Sequence, residues 1–321
     1  MTTYPLMLKP ALKSSLWGGT RLIKEFGYSG KDIVAEAWVL SCRADGAAII
    51  QNGALKGTAL SDAIALWGND ALGKRAASSP QFPLLIKLID ARDKLSVQVH
   101  PDNDYALRVE GEPGKTEMWY VVDCNPGAEL IYGFNRDLTK DEFRRHIENG
   151  SLLEVCNFVP VKKGDVFFIE AGTLHAIGGG ILIAEVQQNS DITYRVYDYD
   201  RRDSSGNPRQ LHIQKAVDVT NTSTPNHQKT LNTETIDGGT IKTLAQCEYF
   251  TCCLLTVNSA ITINNLDSFC SLLNLEGECT LETENAKLIL KKGSSIFLPA
   301  GMGAHITSTA KQPAKILYSY I

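Results

Sequence analysis

The chain has 321 residues, 43% of them hydrophobic and 21% charged, with a formal net charge of −4. That length holds one large or two modest globular domains, and the balance offers no basic stripe for a nucleic acid or an anionic membrane. The eight cysteines include no CxxC pair, the amino terminus reads as lacking a charged-then-apolar leader, and no apolar run reaches the roughly 20 residues that cross a bilayer. Reduced thiols in a cytoplasmic protein are therefore expected, with no membrane or nucleic-acid partner and a monomer or weak oligomer as the state in solution.

In chain order, residues 60–76 (LSDAIALWGNDALGKRA) predict a helical insertion broken near Gly68. Strand-patterned runs follow at 84–89 (LLIKLI), 95–99 (LSVQV) and 118–122 (MWYVV). Residues 139–149 (TKDEFRRHIEN) predict a second helix: Thr139 and Glu142 have capping-box spacing, acids crowd the first turn, and Gly150 supplies a stop. Strands recur at 165–169 and 181–186, and a weaker helical pattern covers 211–219. The stretch 200–243, rich in Ser, Thr, Asn and Gly, reads as connector. Beyond it lie runs at 252–257, 270–275, 287–290 and 316–320. Short strands with turn residues between them predict a mainly β chain of antiparallel sandwiches or barrels.

An internal repeat divides the chain. KKGDVFFIEAGTLHAI (162–177) and KKGSSIFLPAGMGAHI (291–306) align at an offset of 129, sharing Lys-Lys-Gly, a Phe and Ala-Gly. The expected domains are 1–240 and 241–321. His175 aligns with Ala304, and His305 falls one residue late; such a shift turns a side chain to the other face, so the repeat predicts a shared fold without a shared site.

Three segments carry the candidate chemistry. In LSVQVH (95–100), period-2 alternation puts Ser96, Gln98 and His100 on one strand face. In GKTEMWYVV (114–122), Lys115, Glu117 and Trp119 share a face. In GTLHAIGGG (172–180), His175 follows an apolar strand. Each alone reads blandly, as a wet strand face or a structural histidine. A fourth segment, 185–195, would align Glu185, Gln187, Asn189, Asp191, Thr193 and Arg195 on one face of an unbroken strand. That face would need solvent, hydrogen bonds or a use.

Taken together, His100, a carboxylate 17 residues on and a second histidine after a G-D-x(4)-E-A-G strand-turn resemble the two metal motifs of the cupin superfamily. Two histidines and a carboxylate suit a borderline divalent ion such as Zn²⁺ and leave positions open for substrate. The usual first motif reads His-x-His; here Gln98 replaces the first histidine. The runs SVQVHPD (96–102), GKTEMWYV (114–121) and GTLHAIGGGILIAEVQQNSDITYRVYDYDR (172–201) resemble type I mannose-6-phosphate isomerase in its short bacterial form. WGG (17–19), EAWVLS (36–41) and FPLLIKLIDA (82–91) match as well. The resemblance covers roughly residues 5–220, and the last third is similar only as a degenerate second cupin.

The resemblance implies two cupin-like β-sandwich (jelly-roll) domains with a few helical insertions: a catalytic, metal-binding domain over 1–240 and a metal-free one over 241–321. It implies one zinc ion on His100, Glu117 and His175, with Gln98 matching a glutamine that ligates in longer members. It also implies interconversion of mannose 6-phosphate and fructose 6-phosphate. Arg195 matches the family's catalytic arginine. Aldose–ketose isomerisation passes through an enediol, so the metal and Arg195 would stabilise charge on oxygen while a separate base moves the proton. Lys115 is one such base, because a cation beside it favours its neutral form; Glu185 and a metal-bound water are others. Ser96, Lys87 and Asp191 are the expected substrate contacts. His146, His212, His227 and His305 are expected to be non-ligands. The competing readings are an isomerase of another aldose phosphate, an iron or manganese cupin oxygenase, and a non-catalytic carbohydrate-sensing cupin.

Overall fold

Apolar alternation interrupted by turn-forming residues makes short antiparallel strands. Strands dominate the computed structural model, which describes residues 2–30, 32–202, 206–225, 232–264, 267–309 and 312–321. His227 lies outside the described residues. The chain divides into two compact units, both discontinuous in sequence. The first is Met1–Ser14, Thr20–Leu88 and Thr230–Ile321; the second is Ser15–Gly19 and Ile89–Lys229. The division does not follow a single cut near residue 240. The reason is long-range pairing: strand Leu6–Lys9 runs antiparallel to Ser295–Leu298 and sets Leu6 opposite Phe297.

The first unit holds an eight-stranded sheet, with Thr233–Ile236 at one edge and Ile49–Ile50 at the other. It also holds a four-stranded sheet of Ala260–Ile263, Ala304–Ser308, Cys279–Thr283 and Ala286–Leu290. Apolar residues of both sheets, among them Leu255, Leu272, Leu281, Ile296 and Ile306, form one dry core. Residues 200–243 are not connector throughout. They include helix Ile213–Val219 and a hairpin in which Thr233–Ile236 meets Gly239–Gln246 across Asp237 and Gly238, a turn dipeptide the composition masked.

The second unit is built from two groups of strands. One is a five-stranded sheet in the order Tyr194–Tyr197, Val97–Val99, His175–Ala176, Glu129–Phe134, Cys156–Pro160. The other sets Glu117–Cys124 between Val166–Ile169 and Ile181–Gln188. The two layers meet through the Trp119 and His175 rings, 5.2 Å apart and nearly perpendicular. The repeated block corresponds element for element: Val166–Ile169 matches Ser295–Leu298, and His175 and Ala304 each open the next strand.

The helical insertions follow their local signals. Leu60–Trp67 and Asn69–Ala77 are separated by Gly68, whose φ of 58° lies in the left-handed region that glycine tolerates. In Lys140–Glu148, the Thr139 hydroxyl accepts from the Glu142 N–H and the Glu142 carboxylate accepts from the Thr139 N–H. Helix Asn103–Val109 was not expected, although Asp102 caps it by accepting from the Tyr105 N–H. Phe143 is fully buried against Phe134, with ring centroids 5.3 Å apart. Truncating Phe143→Ala should cost about 3–5 kcal/mol of unfolding free energy. Removing the cap with Thr139→Ala should cost only about 1 kcal/mol. Urea unfolding midpoints of the two variants check this order.

Candidate metal centre

The site lies within the second unit and takes one side chain from each of several strands. Gln98, on the three-residue strand Val97–Val99, is paired with His175 on one side and Arg195 on the other. Cross-strand partners point to the same face, so Arg195, Gln98 and His175 form a row on the five-stranded sheet. In the opposite layer, Glu117 pairs with Gln187 and Trp119 with Glu185, again on one face. The two rows face each other across the site.

At its centre His100, Glu117 and His175 bring one ligand atom each to within 4.8 Å of one another, the only such group of His, Cys, Asp or Glu among the described residues. All three are at most 1% exposed. His175 Nε2 is 3.5 Å from Glu117 Oε1, and His100 Nε2 is 3.6 Å from Glu117 Oε2. Each imidazole is anchored from behind. His100 Nδ1 lies 2.8 Å from the Ile192 carbonyl and His175 Nδ1 2.9 Å from the Thr173 carbonyl. A carbonyl only accepts, so both rings carry hydrogen on Nδ1 and turn Nε2 toward Glu117. Burial lowers the His175 pKa to about 4, with the nearby Lys115 charge adding to the effect, which keeps the ring neutral. Imidazoles with outward-held Nδ1–H groups and a carboxylate are the donor chemistry of a divalent-metal site, so these residues fit a metal.

The other expected residues divide. Lys115, 3% exposed, places Nζ 2.9 Å from Glu117 Oε2 and 3.3 Å from His100 Nε2. The Gln98 amide nitrogen is 3.4 Å from His175 Nε2, and Ser96 Oγ is 3.4 Å from Gln98 Oε1. Glu185 is buried and accepts from Trp119 Nε1 at 2.9 Å. Lys87 belongs to the first unit, where it pairs with Glu36 at 3.7 Å and sits over the Trp38 ring.

The unbroken strand over 185–195 is not formed. One strand ends at Gln188 and the next begins at Tyr194, in the other layer of the unit. Glu185 and Gln187 therefore face the row of Arg195 rather than share its strand, and Asp191 is exposed on the crossover. Arg195 donates from Nη1 to the Gln210 carbonyl at 3.0 Å, and its N–H to His212 Nδ1 at 3.2 Å. Desolvation, then the Arg209 charge, lower its pKa, and Asp198 opposes them.

A charged cluster beyond the strand end was missed. Buried Asp198 accepts from Arg201 Nε at 3.2 Å and Arg209 Nε at 2.6 Å. A cavity of about 180 Å³ beside it is lined by Ser15, Leu16, Trp17, Arg201, Arg202 and Arg209. The run DRRDSSGNPR (200–209) holds three of these cations, but in sequence it reads as polar connector. His146 bonds Ser151 and exposed His305 bonds Thr262, and neither joins the centre.

Comparisons with known proteins identify similar sequences and structures. Residues 6–127 match the model of the phosphomannose isomerase type I catalytic domain, and 240–311 that of the mannose-6-phosphate isomerase cupin domain. The chain is 40% identical to mannose-6-phosphate isomerase ManA of Bacillus subtilis over 94% of its own length and 95% of the relative's. It is 39% identical to the mannose-6-phosphate isomerase of Streptococcus mutans, with 92% of each chain covered. The crystal structure of the Bacillus subtilis mannose 6-phosphate isomerase superposes with a TM-score of 0.92 at 37% identity, covering 99% of this chain and 100% of that one.

Replacing Glu117→Gln or His175→Ala should weaken retention of divalent metal at least about tenfold, whereas Lys115→Met should leave it intact. Elemental analysis after dialysis against a weak chelator checks both outcomes.

Proposed function

Because the chain belongs to the type I phosphomannose isomerase family, we propose that it interconverts mannose 6-phosphate and fructose 6-phosphate at the centre formed by His100, Glu117 and His175. The observation that carries this reading is the burial of Glu117 between two outward-anchored imidazoles, with Arg195 in the row opposite.

His100, Glu117 and His175 would hold the metal, with Gln98 the neighbouring amide, and their donor set suits zinc. When bound, the ion supplies Lewis acidity to a sugar oxygen. The chain's own residues supply the rest. Isomerisation moves a proton between C2 and C1 while the carbonyl changes place, so negative charge develops on the enediol oxygens. Arg195 cannot serve as a base and would stabilise that charge as a fixed cation. Its Nε is buried without a hydrogen-bond partner. Lys115 is the side chain best placed to take the proton, since its Nζ is within 3.3 Å of a ligand histidine and 2.9 Å of Glu117. As a base Lys115 would act in its neutral form, which a cation held by Glu117 would favour. Glu185, fixed by Trp119, is the second base of this reading.

The substrate's phosphate is a dianion, and the Arg195, Arg201 and Arg209 group is the concentration of cations in this unit that would receive it. Asp198 offsets one charge and holds two of the guanidiniums in place. Ser96 remains a contact for the sugar.

A coupled assay with mannose 6-phosphate tests the reading. Arg195→Ala should lower kcat about 10²- to 10³-fold, the usual cost of one donor to a developing oxyanion. Full kcat in that variant contradicts the assignment. Arg209→Ala should act mainly by raising KM, and no turnover by the wild-type enzyme would favour the non-catalytic cupin. Faster turnover of a different aldose phosphate would move the reading to that substrate.

A further inference from the structure

We propose that Gln187 is a positioning residue for His100. Its amide holds the Ser190 crossover, and that crossover presents the carbonyl that fixes the imidazole. The inference rests on the metal-site reading above.

The chain of contacts is short and buried. Gln187 and Ser190 are both fully buried. Gln187 is the cross-strand neighbour of Glu117, so its side chain starts on the face of the centre. Its Nε2 donates to the Gln188 carbonyl at 2.8 Å and to the Ser190 carbonyl at 2.6 Å. Two carbonyls facing one amide atom require that atom to be the nitrogen. The Ser190 hydroxyl then accepts from the Ile192 N–H at 3.3 Å, and the Ile192 carbonyl is the partner of His100 Nδ1. Two residues, Ser190 and Ile192, thus link Gln187 to the tautomer of a ligand.

The amide does this at a cost. Gln187 Oε1 is buried without a hydrogen-bond partner, and leaving such an acceptor dry is unfavourable. A leucine would fill the volume without that penalty, but it would have no donor for the Ser190 carbonyl. Without that donor the chain could continue as the straight strand that its alternation suggests. Ile192 would leave His100, and the ring could place hydrogen on Nε2, which removes the lone pair a metal needs.

Asn274 provides an internal control. In the first unit it is also fully buried, donates from Nδ2 to two carbonyls, those of Gly277 and Leu290, and leaves Oδ1 without a partner. It has the same polar arrangement without a ligand histidine at the end of it.

The test compares wild type, Gln187→Leu, Ser190→Ala and Asn274→Leu. Zinc affinity is measured by competition with a chromophoric chelator, and the His100 tautomer of the metal-free protein by ¹⁵N NMR. Gln187→Leu should weaken zinc binding about 10- to 100-fold and lose the pure Nδ1–H signature. Ser190→Ala should shift both in the same direction by less. Asn274→Leu should lower the unfolding midpoint while leaving zinc affinity unchanged. If Gln187→Leu does not fold, the near-isosteric Gln187→Met, which also lacks the donor, decides. Wild-type affinity and tautomer in a folded Gln187→Leu, or in that deciding Gln187→Met, overturn the proposal. Absence of zinc binding by the wild type overturns the metal-site reading instead.

Discussion

A carboxylate with no solvent exposure, Glu117, is the constraint around which the second unit is arranged. Moving such a charge out of water costs several kcal/mol even after relaxation, so the fold must bring compensating partners to it. The Lys115 ammonium does so directly, 2.9 Å from Glu117 Oε2, and the Nε2 sides of His100 and His175 close around the carboxylate. Each histidine is turned by a backbone carbonyl behind it, which makes strand register part of the site's chemistry. A slip of one residue in Val97–Val99 would put Gln98 and His100 into the apolar face and Val99 into the site.

Much of this arrangement was legible locally. Alternation in 95–100 placed Ser96, Gln98 and His100 together, and the Thr139–Glu142 and Gly68 signals bounded helices that form where they point. The family motifs joined His100, Glu117 and His175 before any distance was known. What could not be read was whatever depends on distant partners. Leu6 lies opposite Phe297 because two strands nearly 300 residues apart complement each other, and no local pattern records that. The break at Ser190 was hidden for a different reason. Residues on both sides of it are strand-like, and the interruption is enforced by the Gln187 side chain bonding to backbone. The Asp198 cluster was hidden by composition, since two arginines folded onto one buried carboxylate look like any polar linker until the carboxylate's burial is known.

The repeat shows how a fold and its chemistry separate. The same Lys-Lys-Gly turn, strand and Ala-Gly turn recur in both units, ending at His175 in one and at buried Ala304 in the other. In the first unit His305 points to solvent beside Thr262. The scaffold is kept by apolar packing, which asks only for volume and alternation. The centre asks for specific atoms at specific registers, and a one-residue displacement of a histidine is enough to lose it.

The account stands on a metal at His100, Glu117 and His175 acting in mannose 6-phosphate isomerisation. The most direct measurement is the titration of chelator-stripped protein with zinc while turnover of mannose 6-phosphate is followed. Turnover should be absent at the start and rise linearly to a break at about one equivalent per chain, as one three-ligand site requires. Full turnover by the stripped protein, or a break at two equivalents, would contradict it.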